Sequence, residues 1–144
     1  MKPLPHVYSA KLSIASNGYG VVSASGLPDL RVAPPQDFDG PGDAWSPEHL
    51  LLAAVESCFL FTLEAVARAS KLDFTSLSLT AEGTVDRKDG ATRFTDIILR
   101  PRLTIPAAGD RGRALKLLEK SEKACLVSAS LLTPIRLEPE VVFG

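Results

Sequence analysis

Hydrophobic and polar residues alternate over Val7–Ser13, Leu77–Val85 and Ile97–Ile105, but over Leu50–Leu63 apolar residues crowd together with almost no polar face. The alternation predicts strands with one face covered and the other wet. The crowded stretch predicts a helix covered on several sides. Its start is well marked: Ser46 can cap the free backbone N–H groups, Pro47 suits the first helical position, and Glu48 complements the positive end of the dipole. No glycine or proline interrupts Leu50–Ala69, so the helix is expected to run about six turns. Cys58 lies at its centre, with Leu51, Ala54, Val55, Phe61, Thr62 and Ala65 at helical spacing around it.

The remaining elements follow from shorter signals. Asn17-Gly18 predicts a hairpin turn after the first strand, with Tyr19–Ser25 returning, and Leu30–Val32 can form a third short strand. Residues 33–45, rich in proline, glycine and aspartate, predict an irregular loop. Asp86–Gly90 reads as a polar turn, and Pro101 argues that its strand lies at an edge or carries a bulge. Asp110 can cap a second helix with Ala114, Leu118, Ser121 and Cys125 on one face; whether that helix runs through Cys125 or stops before it stays open. Ile135, Leu137, Val141 and Phe143 predict a last strand. The class is therefore α+β with a mainly antiparallel sheet, in a single domain over residues 1–144. One thin sheet cannot cover an all-round apolar helix. Either a second copy covers it, as a homodimer with the long helices at its centre, or the second helix does so within a monomer.

Composition narrows the class of function. The 144 residues suffice for a core without disulfide staples. A net charge of −1 gives no electrostatic case for nucleic acid or an anionic membrane. The first twenty residues lack an apolar signal-peptide core, and Glu56 and Glu64 interrupt the central helix, so a cytoplasmic protein that does not enter a membrane is expected. In that setting Cys58 and Cys125 are either plain core thiols or a redox pair. A redox pair has a defined chemistry: one thiolate attacks an O–O bond and becomes a sulfenic acid, and the second thiol condenses with it to a disulfide. The attacking sulfur then needs a nearby cation or a helix N-terminus to ionise near neutral pH. His6, His49, Cys58 and Cys125 lack the spacing of a zinc site, and no cofactor is expected. Trp45, just before the helix cap, is expected to pack as a hydrophobic staple.

Ser46-Pro47-Glu48-His49-Leu50-Leu51, followed by Ala53-Ala54 and Ser57-Cys58-Phe59, resembles the central-helix motif of the OsmC/Ohr proteins, the osmotically induced and organic-hydroperoxide-resistance group. Lys123-Ala124-Cys125-Leu126-Val127-Ser128 is similar to that family's second-cysteine motif. The resemblance implies an intertwined homodimer and a thiol peroxidase acting on organic, often lipid-like, hydroperoxides. It also implies reducing equivalents from a dithiol such as a lipoylated protein. Carried over by position, Cys58 is the peroxidatic thiol, Cys125 the resolving thiol, and Glu48 the carboxylate that holds the catalytic arginine; Leu51, Phe59 and Phe61 favour an apolar peroxide. The chain departs from the family at two points. Arg31 is the sole arginine upstream of the helix, residues 33–45 offer Asp37, Asp39 and Asp43 but no basic group, and Leu126 stands where proline often follows the second cysteine. The alternative that these departures leave is an OsmC-fold protein without peroxidase activity that binds an apolar ligand or partner.

Overall fold

The computed structural model describes all 144 residues, in two units: Met1–Leu51 and Leu52–Gly144. In the first unit, strands β1 (Lys11–Ile14), β2 (Gly20–Ser23) and β3 (Leu30–Val32) form an antiparallel sheet in that order. The expected hairpin is present, with Asn17 (φ 59°) and Gly18 (φ 80°) both left-handed at its turn. Strand β1 starts at Lys11 rather than Val7. Its partner β2 ends at Ser23, opposite Lys11, so earlier residues have no ladder to join. The 33–45 loop is tied at both ends, by the Ala33 N–H donating to the Trp45 carbonyl at 3.0 Å and by a parallel bridge between Val32 and Trp45. Inside it, the Phe38 and Gly40 N–H groups both donate to the Pro35 carbonyl at 2.9 Å. A side chain at Gly40 would strike the Pro34 carbonyl, so this close approach requires glycine.

Helix α1 (Pro47–Ala69) begins in the first unit as its sequence dictates. Ser46 is fully buried, and its Oγ accepts the His49 N–H at 3.1 Å. The same oxygen lies 2.6 Å from His49 Nδ1. Trp45 does not pack as a staple: it is half-exposed, with its ring edge-on to His49 at 6.4 Å.

In the second unit, β4 (Ser76–Lys88) and β5 (Ala91–Ile105) form a long antiparallel hairpin. The expected five-residue turn contracts to Asp89-Gly90, both left-handed, because Asp86, Arg87 and Lys88 stay paired in the ladder. Chain order then gives α2 (Arg111–Ala124), the short α3 (Leu126–Ala129), β6 (Ile135–Leu137) and β7 (Glu140–Phe143). The expected single last strand is thus two strands, and both run parallel to β5.

That split explains Pro101. Strand β5 is central rather than at an edge, and Pro101 is fully buried opposite Leu79. Odd-numbered residues of β5 turn their backbone groups toward β6 and β7: the Ile97 N–H reaches Pro134, and the Leu99 and Ile105 carbonyls accept from Glu138 and Gly144. β6 pairs through Leu99 and β7 resumes at Arg102, so the missing donor of Pro101 falls in the break between them.

The core gathers Val55, Phe59, Leu63 and Ala67 of α1, Leu99, Leu103 and Ile105 of β5, Ala114, Leu117 and Leu118 of α2, and Val141 of β7. Along α1 the buried positions recur every four residues, a single stripe on a helix apolar nearly all round. With a mean hydropathy of 1.9, α1 is long and apolar enough to cross a membrane by length and composition, Glu56 and Glu64 notwithstanding. Core helices pass the same test. Asp110 caps α2, its Oδ1 accepting the Arg113 N–H at 3.0 Å. At the same end Arg111 donates to the Val141 carbonyl at 2.8 Å and stacks its guanidinium over Phe143 at 5.3 Å.

Candidate active site

The second unit brings Cys58 and Cys125 together. α1 holds Cys58 half-buried, one residue off the core stripe that contains Phe59. Cys125 is fully buried at the break between two helices: it closes α2 and opens α3, with an extended ψ of 117° that neither helix could accommodate. The second helix therefore stops at Ala124, and the open question at Cys125 is answered by a kink.

Both sulfurs are free thiols, and they face each other. Burial pushes the Cys58 thiol up, but hydrogen bonds more than offset it. The Cys125 thiol donates to its sulfur, as do the Val127 N–H, the Thr62 hydroxyl and the Leu126 N–H, and the net result lies below the ordinary thiol value. Thr62 Oγ1 stands 4.0 Å from the sulfur, one helical turn on. Cys125 moves the other way: burial comes first, the adjacent Cys58 adds to it, and the Ser128 N–H and hydroxyl only partly counter them. One sulfur is poised to ionise and the other to keep its proton. That is the asymmetry a two-thiol redox pair needs.

Sequence reasoning sought a guanidinium to ionise Cys58 and missed the donors that do it. They are backbone N–H groups, which carry no residue-type signature. One sign was visible: at position 126 a proline would have no N–H, whereas Leu126 has one. Arg31 is engaged elsewhere, within the first unit. Its guanidinium covers the Tyr19 ring at 4.6 Å, and it donates to the Asp43 carbonyl at 3.2 Å while Tyr19 donates to the Asp43 carboxylate at 2.8 Å.

The other candidate residues are distributed as follows. Phe59 is fully enclosed in the core and has no surface to offer a substrate, because the i, i+4 spacing puts it on the stripe with Val55 and Leu63. Phe61, two positions on, is 64% exposed. Leu51 is half-buried. Glu48 lies in the first unit, where an apolar hollow of about 460 Å³ is lined by Leu12, Ile14, Val32, Pro35, Phe38 and Glu48 itself. Its Oε2 is buried without a hydrogen-bond partner. No group of three or more His, Cys, Asp or Glu side chains converges to hold a metal ion.

The family model described as OsmC-like protein matches residues 40–140. The chain is 29% identical over 127 residues to the uncharacterized protein YmaD of Bacillus subtilis (strain 168), covering 86% of this chain and 84% of that one. It is 26% identical over 124 residues to an organic hydroperoxide resistance protein of Xanthomonas axonopodis pv. citri, covering 83% of each. Among solved structures, an OsmC-like protein of unknown function from Vibrio cholerae superposes with a TM-score of 0.87 at 16% identity, over 94% of this chain and 99% of that one. An organic hydroperoxide resistance protein from Elizabethkingia anophelis superposes with a TM-score of 0.78 at 22% identity over the whole of both chains. These structural likenesses show the fold.

Proposed function

Since the chain belongs to the OsmC-like family, we propose that it is a thiol peroxidase that reduces organic hydroperoxides through Cys58 and Cys125. The observation that carries this reading is the opposite tuning of the two facing sulfurs. The Cys58 thiolate attacks the terminal oxygen of the hydroperoxide. The O–O bond breaks, the alkoxide leaves and takes up a proton to become the alcohol, and Cys58 becomes a sulfenic acid. Cys125 then attacks that sulfur; an S–S bond forms and the sulfenic hydroxyl leaves as water with the Cys125 proton. An external dithiol returns both sulfurs to thiols by exchange and is itself oxidised to a disulfide. On the family's pattern this reductant is a lipoylated protein.

The greasy side of the substrate is assigned to Phe61, exposed on the helix that carries Cys58. The reading includes a homodimer, because α1 buries only one stripe and leaves apolar side chains on its remaining faces. The test is consumption of cumene hydroperoxide with a dithiol reductant. Wild type is expected to turn over, Cys58→Ser to be inactive, and Cys125→Ser to consume one equivalent and stop. Equal activity of wild type and Cys58→Ser would sink the proposal.

A second reading is favoured by a different observation, the unpartnered Glu48 oxygen beside the apolar hollow of the first unit. It makes the protein a binder of an apolar ligand with a hydrogen-bond-donating head. Saturable binding of an apolar fluorophore by a protein that consumes no hydroperoxide would favour it.

A further inference from the structure

We propose that the apolar hollow of the first unit is a binding site for an amphiphilic amine, a compound whose apolar body lies on the sheet and whose ammonium group pairs with the Glu48 carboxylate. The assignment rests on the apolar-ligand reading and adds to it the charge of the head group.

The hollow is built into the three-stranded sheet. Leu12 and Ile14 of β1 and Val32 of β3 flank Gly20 on the central strand, and all four line the space. A Cβ at Gly20 would come within 3.1 Å of Leu12 and 3.3 Å of Val32, so any side chain there would occupy the floor. A glycine inside a strand commonly marks the close approach of another group. Phe38, from the loop before α1, forms a further wall and is 53% exposed although aromatic. At about 460 Å³ the space falls within the range of small-molecule sites, roughly 300–1,000 Å³. Such a lining suits any greasy body and selects none.

Glu48 selects the head group. Its place in the first turn of α1 complements the helix dipole, which accounts for a carboxylate in water but not for one with a buried oxygen. Oε2 is buried without a hydrogen-bond partner, so it lacks the donor that such a group requires. The cations of the sheet do not supply one. Lys11 and Arg31 occupy the register opposite to that of Leu12, Ile14 and Val32, which puts them on the other face, and Arg31 is bonded to Asp43. Residues 33–48, which furnish the remaining walls, include Asp37, Asp39, Asp43 and Glu48 and no lysine or arginine. An anionic head would be repelled there. A neutral donor would satisfy the oxygen but leave its charge uncompensated. An ammonium does both, through a hydrogen bond about twice as strong.

The test is calorimetric titration of the reduced full-length protein with octylammonium, 1-octanol and octanoate, which share one chain and differ in the head. Octylammonium is expected to bind about tenfold more tightly than octanol, and octanoate more weakly than either. Glu48→Gln, which keeps the shape of the side chain, is expected to abolish that preference and leave octanol binding as it was. Phe38→Ala should weaken octylammonium and octanol by the same factor, because it removes contact with the body alone. Octanol binding with no preference for octylammonium would overturn the ammonium assignment and leave the apolar-ligand reading standing. Failure of both compounds to bind would overturn the two together. A preference that persists in Glu48→Gln would mean adsorption of the cation elsewhere on the chain, and would overturn the site. The titrations use no hydroperoxide, so they decide the matter whether or not the protein is a peroxidase.

Discussion

The sulfur of Cys125, fixed at the kink between α2 and α3, lies beside the sulfur of Cys58 at the middle of α1, and the two thiols are shifted in opposite directions. Cys58 is held below the ordinary thiol range, and Cys125 above it. The linkage signs are opposite. The lowered group contributes stability above its unfolded value that is lost as pH falls through its folded value. The raised group contributes stability below its unfolded value that is lost as pH rises through its folded one. Alkylation followed by peptide mapping across a pH series should label Cys58 at a lower pH than Cys125. Coincident profiles would contradict the assignment.

Leu126→Pro removes one N–H donor from Cys58 without disturbing the backbone. Position 126 is the first of α3, where proline is tolerated, and Cys125 already has the extended conformation (φ −69°, ψ 117°) that a residue before proline prefers. The variant should fold normally and show a higher Cys58 titration midpoint. A midpoint unchanged from wild type would mean that this N–H does not reach the sulfur.

Phe59 and Phe61 differ by two residues and should differ sharply in consequence. Phe59→Ala empties a fully buried position and is expected to cost about 3–5 kcal/mol in chemical denaturation. Phe61→Ala should change the folding stability of the chain by about 0.5 kcal/mol or less, and its effect should appear in hydroperoxide preference or self-association. Comparable losses in the two variants would refute the single-stripe packing of α1.

The two caps offer a test of the helix starts. Ser46→Ala removes the acceptor for the His49 N–H, and Asp110→Ala removes the acceptor for the Arg113 N–H. Each is expected to cost about 1 kcal/mol, read as a fall in the denaturation midpoint with an unchanged slope.

Glu56 is raised by burial, only partly countered by the Ala81 N–H that it accepts. A raised carboxyl is most favourable to the fold at low pH, and that benefit is lost as pH rises through its folded value. Glu56→Gln keeps an acceptor for Ala81 and removes the charge. It should raise the melting temperature at pH 7, with the gain fading toward pH 4. A gain that grows on acidification would reverse the sign of the argument.

Much of the architecture was legible because it is local. The Ser46-Pro47-Glu48 start, the Asn17-Gly18 turn, the alternation of β5 and the Asp110 cap each depend on residues a few positions apart, and each is found where it was expected. The pair Cys58 and Cys125 was legible as a pair through motif resemblance. What escaped depends on distant partners. Pro101 correctly signals a missing ladder bond, but whether that gap lies at a sheet edge or between β6 and β7 is decided by how the last segment pairs. Phe59 and Phe61 are both aromatic residues near Cys58, and only the direction of the core separates them. The donors to Cys58 are backbone atoms delivered by a kink, and no side chain announces them.

The grip of Arg111 on Val141 and Phe143 has a practical side. It anchors one end of the lever whose opposite tip is Cys125, so edits to the final residues would be felt at a sulfur more than three helical turns away. An affinity tag fused there, or a protease nick before Glu140, would be a poor choice for anyone wishing to assay this protein in its native reactivity.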